Sequence, residues 1–82
     1  MTDKDTIRRF VVEELQWTGS AEELADDASL IDAGVIDSLG IVQTIAFLES
    51  TFGIKVRDDE LMPRNFETIN SIAAFVESKR SS

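Results

Sequence analysis

The chain has 82 residues, enough for one small core and no second domain. It contains no histidine and no cysteine, which excludes Ser-His-Asp and Cys-His nucleophiles, His-containing metal sites, disulfides, iron–sulfur clusters and zinc ribbons. Sixteen acidic residues against eight basic ones leave a net charge of −8, so the surface repels nucleic acid and anionic membranes. Acidity of this degree either steers the chain toward basic patches on partner proteins or only keeps it in solution.

The opening Met1-Thr2-Asp3-Lys4-Asp5 lacks the basic stretch and apolar run of a signal peptide, and no apolar run approaches a membrane span. A complete, cytoplasmic, monomeric protein with one domain over 1–82 is the expectation. The first helix is predicted from about Asp5 to Trp17, because Ile7, Phe10, Val11 and Leu15 recur at helical spacing on an otherwise charged segment. Thr2 and Asp5 are placed to cap its start, and Thr18-Gly19-Ser20 to end it. From Ala21 to Asp37 the periodicity breaks up into a long loop, pinned by single apolar anchors at Leu24, Leu30, Ile31, Val35 and Ile36 and turned at Gly34. A short helical turn fits near Ala21–Leu24.

Ser38 to Phe52 reads as the central helix. Ile41, Ile45, Leu48 and Phe52 share one face, and Leu39, Val42 and Ala46 share another more than a quarter-turn away. The second stripe is more apolar surface than an amphipathic helix needs. Either the helix is covered on both sides, which the pattern alone favours, or the second stripe meets a partner. Gly53 closes the helix, Ile54-Lys55-Val56 is an extended connector, and Asp58–Met62 is a brief helical turn stopped by Pro63. The last helix runs from Thr68, its N-cap, to Lys79, with Ile69, Ile72, Ala73 and Val76 inward and Phe75 beside them. The sum is an all-α, small four-helix bundle of three main helices and one short one, with a long loop between the first and second.

Asp37 and Ser38 carry two readings at the start of the central helix. One is a plain N-cap. The other is a modification site, since a phosphate ester on an exposed serine there would face free backbone N–H groups and the positive end of the helix dipole. No histidine is available to activate Ser38 as a nucleophile. The acidic groups Asp26-Asp27 and Asp58-Asp59-Glu60 lack the ligand alternation of a calcium loop and read as solvated loops, so no metal site is expected. Trp17 reads as a core-edge aromatic, and Asp32 and Asp37 do not make an acid/base pair.

The string Leu30-Ile31-Asp32-Ala33-Gly34-Val35-Ile36-Asp37-Ser38-Leu39 closely resembles the acyl carrier protein family, with its acidic loop, glycine turn and Asp-Ser-Leu signature. The resemblance extends over essentially the whole chain, through the Phe52-Gly53 helix end to the Ile-rich last helix. It implies that Ser38, flanked by Asp37 and Leu39, receives 4′-phosphopantetheine from coenzyme A through a phosphopantetheinyl transferase. It further implies that the arm's terminal thiol holds an acyl or aminoacyl group as a thioester, without chemistry by the protein itself. Leu39, Val42 and Ala46 match positions that meet partner enzymes, here an acyl- or aminoacyl-activating (adenylating) enzyme and downstream biosynthetic enzymes.

Two features depart from the fatty-acid members. Gly40 stands where an acidic residue usually follows the signature, and Glu49 is the only acid in the central helix. Phe47 stands where many members have a small residue, narrowing any space for a chain between the helices. Together with Gly40-Ile41-Val42-Gln43 and Asn65-Phe66, these resemble discrete aminoacyl, peptidyl or D-alanyl carriers and imply a short or amino-acid-derived cargo. The alternative is a helical interaction module that binds through Leu39, Val42 and Ala46 without modification.

Overall fold

The computed structural model describes residues 2–15, 17, 19 and 21–80, and three α-helices carry its architecture. They are α1 (Asp3–Glu14), α2 (Ser38–Phe52) and α3 (Ile69–Arg80), joined by irregular segments with 3-10 turns at Ala21–Glu23, Asp58–Glu60 and Pro63–Asn65. No strand occurs among the described residues. None of the helices is long and apolar enough to cross a membrane.

Thr2 and Asp5 start α1 with a reciprocal capping box: the Asp5 N–H donates to Thr2 Oγ1 at 3.2 Å and the Thr2 N–H to the Asp5 carboxylate at 3.3 Å. The helix is shorter at its C-terminal end than its apolar pattern suggests. Seven residues beyond Phe10, continued helical rotation would keep Trp17 at the edge of the stripe of Ile7, Phe10 and Val11. The chain instead leaves the helix at Leu15, and Trp17 packs against the edge of the core. Thr18 and Ser20, expected to end the helix, lie outside the described residues.

The long segment before α2 is ordered by burial and by bonds to both outer helices. Leu24, Leu30, Val35 and Ile36 are buried, with Ile31 packed against them. Arg8 of α1 donates through Nε to the Leu24 carbonyl at 3.3 Å and pairs with the Asp26 carboxylate. From the other side, the Asn70 N–H donates to the Asp26 carbonyl at 3.0 Å, and the Leu30 N–H to the Glu67 carbonyl at 2.7 Å. Gly34 takes the turn with φ 75°, a left-handed conformation open to glycine, and the N–H groups of Val35 and Ile36 then return to the Leu30 carbonyl at 2.9 and 3.0 Å. Asp26 is thus an ion-pair partner of Arg8 and Lys4, not a solvated loop acid.

Where a short fourth helix was expected over Asp58–Met62, the chain makes one 3-10 turn, followed by a second at Pro63–Asn65, so α-helix accounts for three elements among the described residues. Pro63 does more than stop the first turn. It occupies the opening position of the second, where its missing N–H leaves no orphaned donor. Glu60 holds this segment down. Its carboxylate accepts from the Arg57 N–H at 2.9 Å and from Lys79 Nζ at 2.8 Å, and its carbonyl accepts from Asn65 Nδ2 at 2.9 Å. The Lys79 ammonium, followed by the Arg57 N–H, keeps the Glu60 carboxyl below its ordinary pKa. Thr68 caps α3 by accepting from the Ser71 N–H at 2.9 Å, and Ile69, Ile72, Phe75 and Val76 bury the face that α3 shares with α1.

Candidate functional site

The start of α2 is built by three consecutive residues with separate tasks. Asp37 is the N-cap: its Oδ1 accepts from the Gly40 N–H at 2.8 Å, and its carbonyl accepts from the Ile41 N–H at 2.8 Å. Ser38 is the first helical residue and is exposed, and its hydroxyl has no hydrogen-bond partner among the described residues. Leu39 projects into solvent at 67% exposure. Buried Val35 and Ile36 fix the strand of chain that leads in, so the serine stands on an anchored base. A helix start leaves its first N–H groups without intrahelical acceptors, and Asp37 occupies the one from Gly40. The remaining donors and the dipole of this 15-residue helix favour an anion on the Ser38 oxygen.

Gly40 lies inside this corner with ordinary contact distances around it. It is buried, and a side-chain carbon built on it would touch Asp37 Oδ1 at 3.4 Å and the Val35 carbonyl at 3.5 Å. Beyond it, Thr44 and Leu48 continue the buried line of α2, while Ile41, Ile45 and Phe52 pack at the core's margin. The buried Thr44 was not legible from hydropathy. Its Oγ1 donates to the Gly40 carbonyl one turn back at 2.7 Å, so the hydroxyl enters the core already satisfied.

The second stripe of α2 is not covered. Leu39, Val42 (62% exposed) and Ala46 all face solvent, which corrects the expectation from pattern alone that both faces are buried. Nor does this face carry free charge. The helix has one ionisable residue, Glu49, and its carboxylate turns back to accept from the Val56 N–H at 2.9 Å. Two further apolar side chains, Leu61 at 44% and Met62 at 39% exposure, stand out from the segment between the 3-10 turns. The sequence offered a signal for them, an apolar pair placed between an acidic run and Pro63, but its exposure depends on how Glu60 clamps the turn.

An all-helical fold with an exposed serine opening its central helix defines the class of a covalently loaded carrier. Residues 5–76 match the phosphopantetheine attachment site family. The chain belongs to that family of carrier proteins, whose attached group is 4′-phosphopantetheine. It is 49% identical over 51 residues to the D-alanyl carrier protein of Streptococcus pyogenes serotype M1, a match covering 62% of this chain and 65% of that protein, slightly under two thirds of the relative's length. Among solved structures, KstB-PCP in its apo form is 44% identical with a TM-score of 0.74, covering 89% of this chain and 80% of that one. A carrier protein from Agrobacterium tumefaciens, seen in complex with an engineered Bradyrhizobium japonicum glycine:[carrier protein] ligase and AMP, belongs to another similar structure. That similarity is 28% identity and a TM-score of 0.76, over 96% of this chain and 99% of that chain.

Proposed function

We propose that this chain, as a single monomeric domain, carries an aminoacyl or other short acyl group on a phosphopantetheine arm attached to Ser38. The observation that carries the reading is the exposed Ser38 hydroxyl at the start of α2, without a hydrogen-bond partner among the described residues and beside a side chain that caps the helix without covering it. The site's residues suit the group. When bound, the arm supplies a terminal thiol that this cysteine-free chain lacks, and that thiol holds the cargo as a thioester. The chain's own part is to present the serine oxygen, to offer helix-start N–H groups to the phosphodiester, and to leave the arm free to reach other proteins.

With no histidine in the chain, the base that takes the Ser38 proton belongs to the phosphopantetheinyl transferase. Pantetheine phosphate is transferred from coenzyme A to the serine oxygen, and the nucleotide leaves as adenosine 3′,5′-bisphosphate. The uncharged, exposed face of Leu39, Val42 and Ala46 then meets the adenylating enzyme that loads the thiol and the enzymes that take the cargo onward. Catalysis belongs to those enzymes. The D-alanyl relatives and the glycine ligase complex support an amino acid as cargo. The reading places the protein in the cytoplasm, where coenzyme A is available.

The test is intact mass after incubation with coenzyme A and a broad-specificity phosphopantetheinyl transferase. Wild type gains one phosphopantetheine, and Ser38→Ala gains nothing while remaining folded. A folded wild type that gains no mass overturns the proposal.

A further inference from the structure

We infer that the loaded arm lays its aminoacyl end in the surface groove between α1 and α2, with the cargo's ammonium against Glu13 and Glu14 and its carbon atoms against Phe10, Ala46 and Phe47. This deepens the carrier reading above and rests on it. The groove has a volume of about 460 Å³. Phe47 of α2 stacks on Phe10 of α1 in its floor, with ring centroids 4.1 Å apart and planes 12° apart. Its rim is Arg9, Glu13 and Glu14 of α1, all exposed, and none of the three has an ion-pair partner among the described residues. The α2 side adds no charge, since Glu49, the one ionisable residue of that helix, is turned to the Val56 N–H.

A path leads there from the attachment point. Leu39, Val42 and Ala46 follow Ser38 along one exposed row of α2, and Ala46 is both the end of that row and part of the groove. Ala46 lies eight residues past Ser38, about 12 Å along the helix at about 1.5 Å per residue. The arm's backbone from phosphorus to sulfur is as long as about four extended residues, roughly 14 Å. Its sulfur therefore reaches the edge of the groove while its methyl groups lie over Leu39 and Val42.

Charge decides which cargo stays. An α-ammonium gains from the two carboxylates, and the Arg9 guanidinium, one turn back from Glu13, suits the carbonyl oxygens of the arm. An acyl group of the same size without the nitrogen gains only the apolar floor. Exposed pairs of this kind shift an equilibrium by about 2–5-fold, so the aminoacyl end is held without being trapped. The held ammonium also keeps its proton. That withholds the free amine that would attack a second thioester, forming an amide and releasing a thiol.

The experiment loads the apo protein with alanyl- and propionyl-phosphopantetheine from the matching coenzyme A analogues, each with an amide in place of the thioester, and confirms each product by intact mass. The two cargoes are nearly equal in size and differ in the amino group. Backbone amide NMR shifts are compared between the two loaded forms. The amine pKa of isotope-labelled alanyl cargo is measured against that of the free alanyl-pantetheine amide. Wild type is expected to show shift differences at Glu13, Glu14, Ala46 and Phe47, and an amine pKa raised by about 0.5. Glu13→Gln combined with Glu14→Gln is expected to lose more than half of that rise. Asp27→Asn combined with Asp58→Asn removes as much charge from positions that do not border the groove, and is expected to keep most of it. Identical amide shifts for the two cargoes overturn the inference, and so does an amine pKa equal to that of the free amide or an equal loss in the two double variants. An absent mass increment overturns the carrier reading itself and is visible before any titration is run.

Discussion

Asp37 and Ser38 are neighbours at one helix start, and their substitutions separate folding from function. Asp37→Ala removes the acceptor of the Gly40 N–H and is expected to cost about 1 kcal/mol, which in a chain of this size lowers Tm by roughly 4–8 °C. Ser38→Ala removes a hydroxyl without a partner among the described residues, so Tm is expected to stay close to wild type, and on the proposed attachment at Ser38 phosphopantetheine addition is expected to be lost. Thermal melts followed by circular dichroism, run beside the mass assay, distinguish the two. Glu60 gives a pH signature. Its carboxyl pKa is lowered by Lys79 and the Arg57 N–H, so its stabilising contribution is complete above the ordinary value of 4.5 and disappears as pH falls through the lowered folded value. Glu60→Gln lacks that titration. Its Tm is expected to lie below wild type near neutral pH, with the gap closing as pH drops below about 4.5. A gap that persists unchanged in acid refutes the assignment.

In α2 and at its C-cap, two glycines are expected to respond in opposite directions to the same change. Gly40 has helical backbone and room for a methyl group at ordinary contact distance, 3.4 Å from Asp37 Oδ1. Gly40→Ala is expected to stabilise by roughly 0.5–1 kcal/mol through helix propensity, a rise of a few degrees in Tm. Gly53 sits at φ 69° in the left-handed region, where its N–H donates to the Glu49 carbonyl at 3.1 Å and ends the helix. Gly53→Ala is expected to destabilise by roughly 1–2 kcal/mol, from the cost of the left-handed conformation for a residue with Cβ. Denaturant melts of the pair check the signs. Most of α2 was legible in advance: its bounds, its N-cap, its glycine stop and its two apolar faces. Thr44 was not, because hydropathy places a threonine outside, whereas a hydroxyl bonded to the preceding turn enters a core at little expense.

Over the whole molecule, charge opposes compaction. Ion pairs such as Arg8–Asp26, Lys79–Glu60 and Arg80–Asp3 engage much of the limited positive charge, yet the net charge of −8 remains. Screening that self-repulsion is expected to raise Tm as salt increases from about 0.01 to about 0.1 M, where the Debye length falls from about 30 to about 10 Å. Magnesium chloride at the same ionic strength is expected to raise it further. A Tm indifferent to both counts against self-repulsion as a destabilising force. The same distribution leaves α2's exposed stripe uncharged on an acidic body, so on the proposed docking of an adenylating enzyme there Val42→Asp is expected to weaken loading more than neutralising a remote acid such as Asp27.

The amino-acid sequence by itself determined the parts that depend on near neighbours along the chain. The capping box of Thr2 and Asp5, the Thr68 cap, the glycine turns and the inward residues of α1 and α3 follow from local hydrogen bonding and helical period, and so does an exposed serine at the head of α2. Tertiary structure decided which faces were covered. Period alone gives α2 two apolar faces, but only the placement of α1, α3 and the anchored loop leaves Leu39 and Val42 in water. It likewise paired Asp26 with Arg8, set Phe47 against Phe10, and used Glu60 and Lys79 to hold a 3-10 turn where a fourth helix was expected. Each of these joins residues far apart in sequence, and such contacts arise only when several elements compete for the same core.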